Sequence, residues 1–223
     1  MKNVWEDIHS ARDWGRYPNE ELVRFIGRNF FRIPRSERHL IKILELGCGQ
    51  GANLWFIARE GFDAQGIDIS PTAVQKCKKN LEEWNIPEVT LTVGDITDMS
   101  MSEASIDAVI DVATMFCIPY SIHKKIYSEI FKILKPGGKF WSFHLAEGSW
   151  GSDSGQIIEY KTFGNLTEGP AQNQGSICMP SDSDLRQLLE EAGFRVNTIE
   201  KHIRTYENQT HNLIHWIIEA EKP

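Results

Sequence analysis

The sequence has few cysteines and no long apolar run. Its 223 residues include four cysteines, Cys48, Cys77, Cys117 and Cys178, and no two of them form a Cys-x-x-Cys pair. This spacing disfavours a disulfide framework and a metal site, so we expect free, buried thiols and no bound metal. No stretch approaches the roughly 18 apolar residues of a membrane span, and the first residues lack the apolar segment of a signal peptide. These absences predict a cytoplasmic protein that does not bind a membrane.

Positive charge is also scarce. The chain carries 24 Lys and Arg against 31 Asp and Glu, a net charge of −7, which disfavours a nucleic-acid partner because such binding needs a basic face. Residues 1–40 are the exception, with eight basic and six acidic residues, a net of +2 that leaves −9 for the remainder. We therefore predict a separate helical cap at 1–40 and a main domain at 41–223.

The spacing of apolar residues predicts the layout of the main domain. Short apolar runs, typical of strands, alternate with helical patterns at 54–60, 71–84 and 122–134. The predicted strands lie at 41–47, 64–69, 89–95, 106–114 and 139–145. Alternating strands and helices predict an α/β fold, a doubly wound sheet that is mostly parallel with helices on both faces.

The last third of the chain follows a different pattern. Residues 146–179 contain six glycines and many small polar residues, which predicts a lid or a disordered insert within the same domain. A helix is expected at 184–192, followed by two strands at 195–206 and 212–222. We expect these strands to form an antiparallel pair at the edge of the sheet.

The most informative segment is ILELGCGQGAN, residues 43–53, at a predicted strand-to-helix junction. Gly47, Gly49 and Gly51 allow a sharp turn and a close approach of the backbone to a ligand, and the following helix offers free N–H groups to an electronegative group. With Ala52 in the last place, the segment also fits a variant of the dinucleotide fingerprint.

Three acidic residues follow at or near the ends of other strands. Asp68 ends the second strand, where it is placed to accept hydrogen bonds from ribose hydroxyls. Asp95 ends the third strand and is placed to receive a donor such as an adenine amine, with Ile96 beside it to cover the base. Asp111 lies in the fourth strand region. Ligands bind open α/β sheets at this carboxyl edge.

In these segments the chain resembles the class I S-adenosylmethionine-dependent methyltransferases. LELGCGQG resembles their first motif, GIDIS the acidic strand end that binds ribose, GDI the segment that contacts adenine, and LKPGGKF the turn into the fifth strand. The resemblance covers about residues 40–145 and implies a Rossmann-like fold with an antiparallel last strand. It implies S-adenosyl-L-methionine as cofactor and S-adenosyl-L-homocysteine as product. By resemblance the cofactor is lined by Glu45, Gly47, Cys48, Gly49, Asp68, Ile69, Asp95, Ile96 and Asp111.

The acceptor of the methyl group is less well determined. The family's nucleic-acid and protein methylases that modify adenine or glutamine carry an N/D-P-P-Y/F element where this chain has Asp111-Val112-Ala113-Thr114, so a small metabolite is favoured, an anionic one among the candidates. Trp14, Arg16 and Tyr17 in the cap are candidates to close over the cofactor, with Arg16 placed to pair with a carboxylate. Packing of Trp14 and Tyr17 between the cap and the main domain is an equal alternative.

Two histidines are candidates for a general base in O- or N-methylation. His144, near the end of the fifth strand, is the first choice because histidine titrates near neutral pH, and His123 is the second. The alternative for His144 is a structural hydrogen bond at the strand end.

Two other functions stay open. The chain could be a module that binds the cofactor without methyl transfer, or an NAD-dependent oxidoreductase. We expect a small-molecule partner and a monomer or homodimer.

Overall fold

A seven-stranded sheet forms the centre of the molecule. The computed structural model describes residues 2–86 and 88–223, with side chains from residue 4 onward. The strand order is β3-β2-β1-β4-β5-β10-β9. These strands are β1 Lys42–Leu46, β2 Asp63–Asp68, β3 Thr90–Val93, β4 Ile106–Val112, β5 Leu134–Leu145, β9 Arg195–Tyr206 and β10 His211–Glu221. Strands β1 to β5 pair in parallel, whereas β10 runs antiparallel to both β5 and β9. The predicted doubly wound sheet is confirmed, and so is its antiparallel closing pair.

Helices cover both faces of this sheet. In the described chain they are α1 Lys2–Ala11, α2 Glu20–Phe30, α3 Ala52–Arg59, α4 Pro71–Glu83, α5 Tyr120–Ile133 and α6 Asp182–Glu191. Two short 3-10 helices lie at Arg35–Leu40 and Met115–Cys117. Of the helices described, none has the length and apolar character needed to span a bilayer.

The alternation of side chains along the strands produces two separate cores. In β5, Phe140 belongs to the cluster that contains apolar residues of α5 and α6, whereas its neighbour Trp141 belongs to the cluster that contains those of α2, α3 and α4. Ile43 and Leu44 of β1 divide between the two clusters in the same way. Because successive strand residues point to opposite faces, each strand contributes to both cores.

The helix α4 begins at Pro71, the first residue of its predicted range, and Ser70 caps it. The hydroxyl of Ser70 accepts a hydrogen bond from the backbone N–H of Ala73 at 3.0 Å, and Pro71 occupies the first helical position. A hydroxyl cap satisfies an N–H group that has no partner within the helix, and the fixed φ angle of proline suits that position. These two residues hold the helix start next to the end of β2.

The two predicted helices of the cap differ in how they pack. Leu22, Phe25 and Ile26 of α2 are fully buried, and the ring of Phe25 stacks on that of Trp141 at 5.8 Å. Helix α1 contacts α4. Helix α2 thus packs into the core beneath the sheet together with residues of the main domain. The boundary between a cap and a main domain at residue 40 stays a prediction.

The insert at 146–179 is more ordered than the sequence indicated. It contains a small antiparallel sheet of β6 Gln156–Glu159, β7 Thr162–Gly164 and β8 Ile177–Cys178. Leu166, Ile177 and Met179 are buried in a cluster with Phe116. The segment is therefore not disordered, and its strands were missed because they are too short to show a periodic pattern. Its role as a lid stays a prediction.

Candidate active site

A cavity of about 430 Å³ opens at the carboxyl ends of β1, β2 and β4. This volume is in the range of about 300–1,000 Å³ usual for small-molecule sites. Its walls are formed by the glycine-rich loop after β1, by the ends of β2 and β3, by α1 and by the turn after β4. Side chains from α1, the segment after it, the turn after β4 and the insert include Trp5, His9, Trp14, Phe116, Ile118 and Gln174.

The glycine-rich loop between β1 and α3 requires glycine at two places. Gly47 has a φ of +64°, and a Cβ there would clash with the side chain of Thr114. Gly51 has a φ of +90°, and a Cβ there would clash with the thiol of Cys77. The loop therefore passes close to two neighbouring elements before α3 begins at Ala52.

Asp68 connects the end of β2 to this loop. Its Oδ2 accepts a hydrogen bond from the backbone N–H of Gly49 at 2.8 Å, and its Oδ1 accepts one from that of Ser70 at 2.9 Å. Asp95, after β3, accepts a hydrogen bond from the N–H of Thr97 at 2.9 Å. Both carboxylates line the cavity, as do Ile69 and Ile96.

Glu45 of β1 is a buried carboxylate with one free oxygen. Its Oε1 accepts a hydrogen bond from Nδ2 of Asn53 at 2.6 Å, whereas its buried Oε2 has no partner among the described residues. Burial raises the pKa of Glu45 well above its ordinary range. An unpaired acceptor that lines a cavity suits a ligand with a donor or a positive charge.

Helix α1 is held over the cavity by polar contacts with α4. The carboxylate of Glu6 accepts hydrogen bonds from the hydroxyls of Ser70, at 2.6 Å, and of Thr72. Nζ of Lys76 donates to the carbonyl oxygen of His9 at 2.7 Å. The middle and the C-terminal part of the helix are thereby fixed next to the same neighbour.

Three aromatic rings of the first 14 residues group over the cavity. The ring centroids of Trp5, His9 and Trp14 lie 5.8 to 6.4 Å apart. The sequence interpretation missed Trp5 and His9, although their spacing of four residues places them on one face of α1. It also missed Gln50, which lies within the glycine-rich segment itself.

Most of the predicted cofactor residues line this cavity. The residues in this group are Trp14, Tyr17, Glu45, Gly47, Cys48, Gly49, Asp68, Ile69, Asp95 and Ile96. Tyr17 is 83% exposed and Trp14 43% exposed, so neither is packed between the cap and the sheet.

Asp111 and Arg16 do not line the cavity, which corrects two predictions. Asp111 is fully buried and accepts hydrogen bonds from the N–H groups of Thr114 and Met115 and from the hydroxyl of Ser142. Burial raises its pKa to about 6. Its carboxylate holds the turn after β4 through the hydrogen bonds from Thr114 and Met115. Arg16 is exposed on the segment between α1 and α2.

The two candidate general bases also lie outside the cavity. His144 is fully buried, its Nδ1 is 2.8 Å from the carbonyl oxygen of Leu145, and burial lowers its pKa to about 3. His123 is fully buried, its Nε2 contacts the carbonyl oxygens of Met115 and Ile118, and burial lowers its pKa to about 4. His144 has the contact that its structural alternative expects, a hydrogen-bond distance to the backbone at the end of the strand.

Comparison with known proteins identifies the domain that builds this cavity. Residues 43–138 match the family described as "Methyltransferase domain". This match supports a class I S-adenosylmethionine-dependent methyltransferase domain, with S-adenosylmethionine as its cofactor.

The relatives of this methyltransferase domain have varied functions. An S-adenosyl-L-methionine-dependent Diels-Alderase of Talaromyces variabilis is 27% identical over 191 residues, which are 81% of this chain and 62% of the relative. A tRNA N(3)-methylcytidine methyltransferase of Schizosaccharomyces pombe is 26% identical over 96% of this chain and 92% of the relative. A solved S-adenosylmethionine-dependent methyltransferase from Methanosarcina mazei shares the fold, with a TM-score of 0.69 and 19% identity over 81% of this chain and 92% of its own.

The chain matches only part of the length of several relatives. The chain spans 43%, 62% and 58% of the length of three of the curated relatives it matches.

Proposed function

We propose that the protein transfers a methyl group from S-adenosylmethionine to an uncharged small molecule. The observation that carries this proposal is the mixed lining of the cavity, which has acidic and backbone groups as well as aromatic and apolar walls. The acidic and backbone groups suit the cofactor, and the apolar walls suit an acceptor with an apolar body. A displacement reaction requires the two ligands to lie next to each other in one site.

The acidic and backbone groups of the lining fit the cofactor. The free oxygen of Glu45 is placed for a cationic donor, and Asp68 and Asp95 are placed for hydroxyl and amine donors. Gly47 and Gly49 of the glycine-rich loop line the cavity without a side chain, so the backbone can approach a ligand closely. We therefore propose that Glu45, Asp68 and Asp95, together with the loop, hold S-adenosylmethionine.

The chemistry needs little from the protein beyond alignment. When bound, S-adenosylmethionine would supply an electrophilic methyl group and would keep the electron pair of the C–S bond on its sulfur. The acceptor's oxygen or nitrogen would supply the pair for the new bond, and its proton would pass to solvent. The apolar walls of Trp5, Phe116 and Ile118 exclude water from the path of attack and hold the acceptor in line.

An anionic acceptor is not supported by the charges of the cavity. Among the described side chains that line it there is no Lys or Arg, whereas Glu45, Asp68 and Asp95 are acidic. Arg16, the candidate for this role, is exposed and is not among the residues that line the cavity. Other arginines of residues 1–40 pair with acids elsewhere: Arg24 with Glu20, Arg28 with Glu219 and Arg38 with Glu60. An uncharged acceptor avoids the repulsion that an anion would meet.

The direct test is turnover. We would incubate the purified protein with S-adenosylmethionine and panels of neutral aromatic, neutral aliphatic and anionic metabolites, and measure S-adenosylhomocysteine. We expect product with a neutral panel and none with the anionic panel. Product with the anionic panel alone would contradict the assigned acceptor class.

A second candidate is a reaction that uses bound S-adenosylmethionine without consuming it. The likeness to a Diels-Alderase over 81% of this chain favours it. Substrate conversion without release of S-adenosylhomocysteine would support this candidate over methyl transfer.

A further inference from the structure

The side-chain amide of Gln50 has a fixed orientation. Its Oε1 accepts a hydrogen bond from the backbone N–H of Trp14 at 3.0 Å, and its Nε2 donates to the carbonyl oxygen of Arg12 at 3.1 Å. A backbone N–H can only donate and a backbone carbonyl can only accept. The amide of Gln50 cannot be reversed without the loss of both hydrogen bonds.

This orientation determines the tautomer of His9. Nε2 of Gln50 also lies 3.3 Å from Nδ1 of His9, and because the amide nitrogen is a donor, Nδ1 must be the acceptor. His9 is only 5% exposed, and burial lowers its pKa, so the ring is neutral near pH 7. A neutral imidazole whose Nδ1 accepts carries its proton on Nε2.

The N–H of His9 is available to a ligand. His9 lines the cavity, and its Nε2 forms no hydrogen bond within the described chain and is not sealed from solvent. Cε1 of the ring, which lies between Nδ1 and Nε2, is 3.6 Å from the position of a Cβ at Gly49. The ring of His9 therefore lies next to the glycine-rich loop.

The charges around this donor favour an anionic group of the cofactor. The cofactor has a single carboxylate, on its methionine moiety. In the described lining the acidic side chains would repel that group and no Lys or Arg offsets them, so it needs N–H donors. Ala52 and Asn53, at the start of α3, line the cavity beside the loop, and a helix N-terminus supplies such donors.

We propose that Nε2–H of His9 donates a hydrogen bond to the methionine carboxylate of bound S-adenosylmethionine, and that Gln50 is the positioning residue that keeps the proton on Nε2. This inference rests on the proposed cofactor site. It assigns His9 to binding and not to proton abstraction, since the nitrogen that faces the cavity already carries its proton.

The binding test uses two ligands that differ in the methionine moiety. S-adenosylhomocysteine has the carboxylate, and 5′-methylthioadenosine lacks the whole amino-acid end. His9→Asn retains an oxygen near the position of Nδ1 to accept from Gln50 but removes the donor that faces the cavity. His9→Gln is the conservative control, because its amide nitrogen reaches the position of Nε2.

By calorimetry we expect His9→Asn to bind S-adenosylhomocysteine about tenfold or more weakly than wild type, since hydrogen bonds to charged groups are stronger than neutral ones. Its affinity for 5′-methylthioadenosine should be unchanged, and His9→Gln should recover most of the affinity for S-adenosylhomocysteine. Equal losses for both ligands, or no loss for either, would overturn the proposal.

The tautomer has a readout that does not depend on activity. In the ligand-free protein, ¹⁵N NMR of labelled histidines should show His9 with its proton on Nε2, the signal being assigned by its absence in His9→Gln. Gln50→Glu presents a carboxylate to Nδ1, so we expect the proton to move to Nδ1 and the affinity for S-adenosylhomocysteine to fall. A wild-type signal with the proton on Nδ1 would overturn the assignment of Gln50.

These measurements separate the inference from the proposed function. A wild-type protein that binds S-adenosylhomocysteine but methylates nothing would contradict methyl transfer and leave the His9 comparison intact. Conversely, full turnover with no selective effect of His9→Asn would overturn the His9 assignment alone.

Discussion

Asp68 has two tasks at the end of β2. Its carboxylate holds the N–H groups of Gly49 and Ser70, and so it links the glycine-rich loop to the start of α4. It also lines the cavity, where we propose that it accepts from the ribose of the cofactor. Loss of the carboxylate would therefore affect both the shape of the loop and its contact with ligand.

Asp68→Ala should weaken the binding of S-adenosylhomocysteine by at least about tenfold, because a charged acceptor is removed and two N–H groups lose their partner. Titration calorimetry measures the change. Asp98→Ala is the matched control, since Asp98 is an exposed acid near the same edge of the sheet. Unchanged affinity in Asp68→Ala would contradict the proposed ribose contact.

At the scale of elements, α1 depends on α4 for its position. Helix α1 has ten residues, and isolated helices of this length are marginal in water. Lys76 contacts the carbonyl oxygen of His9 and the carboxylate of Asp13 at 3.0 Å, beside the C-terminal end of α1. A positive charge at that end favours the helix through its dipole.

Lys76→Met should loosen α1 and leave the sheet intact. Hydrogen exchange should show faster exchange of the amides of residues 5–11, while the melting temperature changes by only a few degrees. Lys79→Met is the control on the same helix, because Lys79 contacts only the neighbouring Glu83, at 3.7 Å, among described residues. Equal exchange of α1 in wild type and Lys76→Met would show that other contacts suffice.

The elements with a clear period were predicted well. Strands β1 and β9 and helix α4 begin and end within a residue or two of their predicted bounds. The small sheet of the insert was missed because β8 has only two residues, too few for any period.

His144 shows why a place near the end of a strand does not suffice to predict a site residue. His144 lies near the end of β5, but alternation directs it to the face that carries Phe140, covered by α5 and α6. A position along a strand does not by itself determine the face. His9 could not be assigned because its role depends on Gln50, 41 residues away.

At the scale of the whole molecule, buried histidines make stability depend on pH. Burial lowers the pKa of His144 to about 3 and that of His215 to about 4. In the unfolded chain histidine binds a proton near pH 6.5. Below that pH the unfolded state binds more protons than the folded state, so these residues reduce stability as pH falls from about 6.5 towards 4.

His144→Phe should remove part of this acid sensitivity. Urea unfolding at pH 7 and at pH 4.5 gives the loss of stability for each protein, and the loss should be smaller in the variant. One such histidine contributes at most about 1.4 kcal/mol per pH unit. Other titrating groups, such as Asp111, are the same in both proteins, so their contributions to the pH dependence cancel in the comparison. An equal loss of stability in both proteins would contradict the assigned pKa of His144.

The charge of the whole chain bears on the likeness to a tRNA methyltransferase. With a net charge of −7 and Arg24, Arg28, Arg35 and Arg38 paired with acids, we expect no binding of tRNA at about 0.15 M salt in a gel-shift assay. The double variant Glu20→Gln, Glu60→Gln frees Arg24 and Arg38 from these acidic partners. It is the variant with more available positive charge to which wild type is compared. Tight binding by wild type would contradict a small-molecule acceptor.

The place of β10 between β5 and β9 has a consequence for how the chain folds during synthesis. Strand β9 leaves the ribosome before β10, yet the sheet pairs it only with β10. Until β10 emerges, β5 has an open edge and β9 has no place in the sheet. During synthesis β9 therefore stays unpaired until β10 has emerged. In this interval the unpaired edge of β5 is most exposed to aggregation.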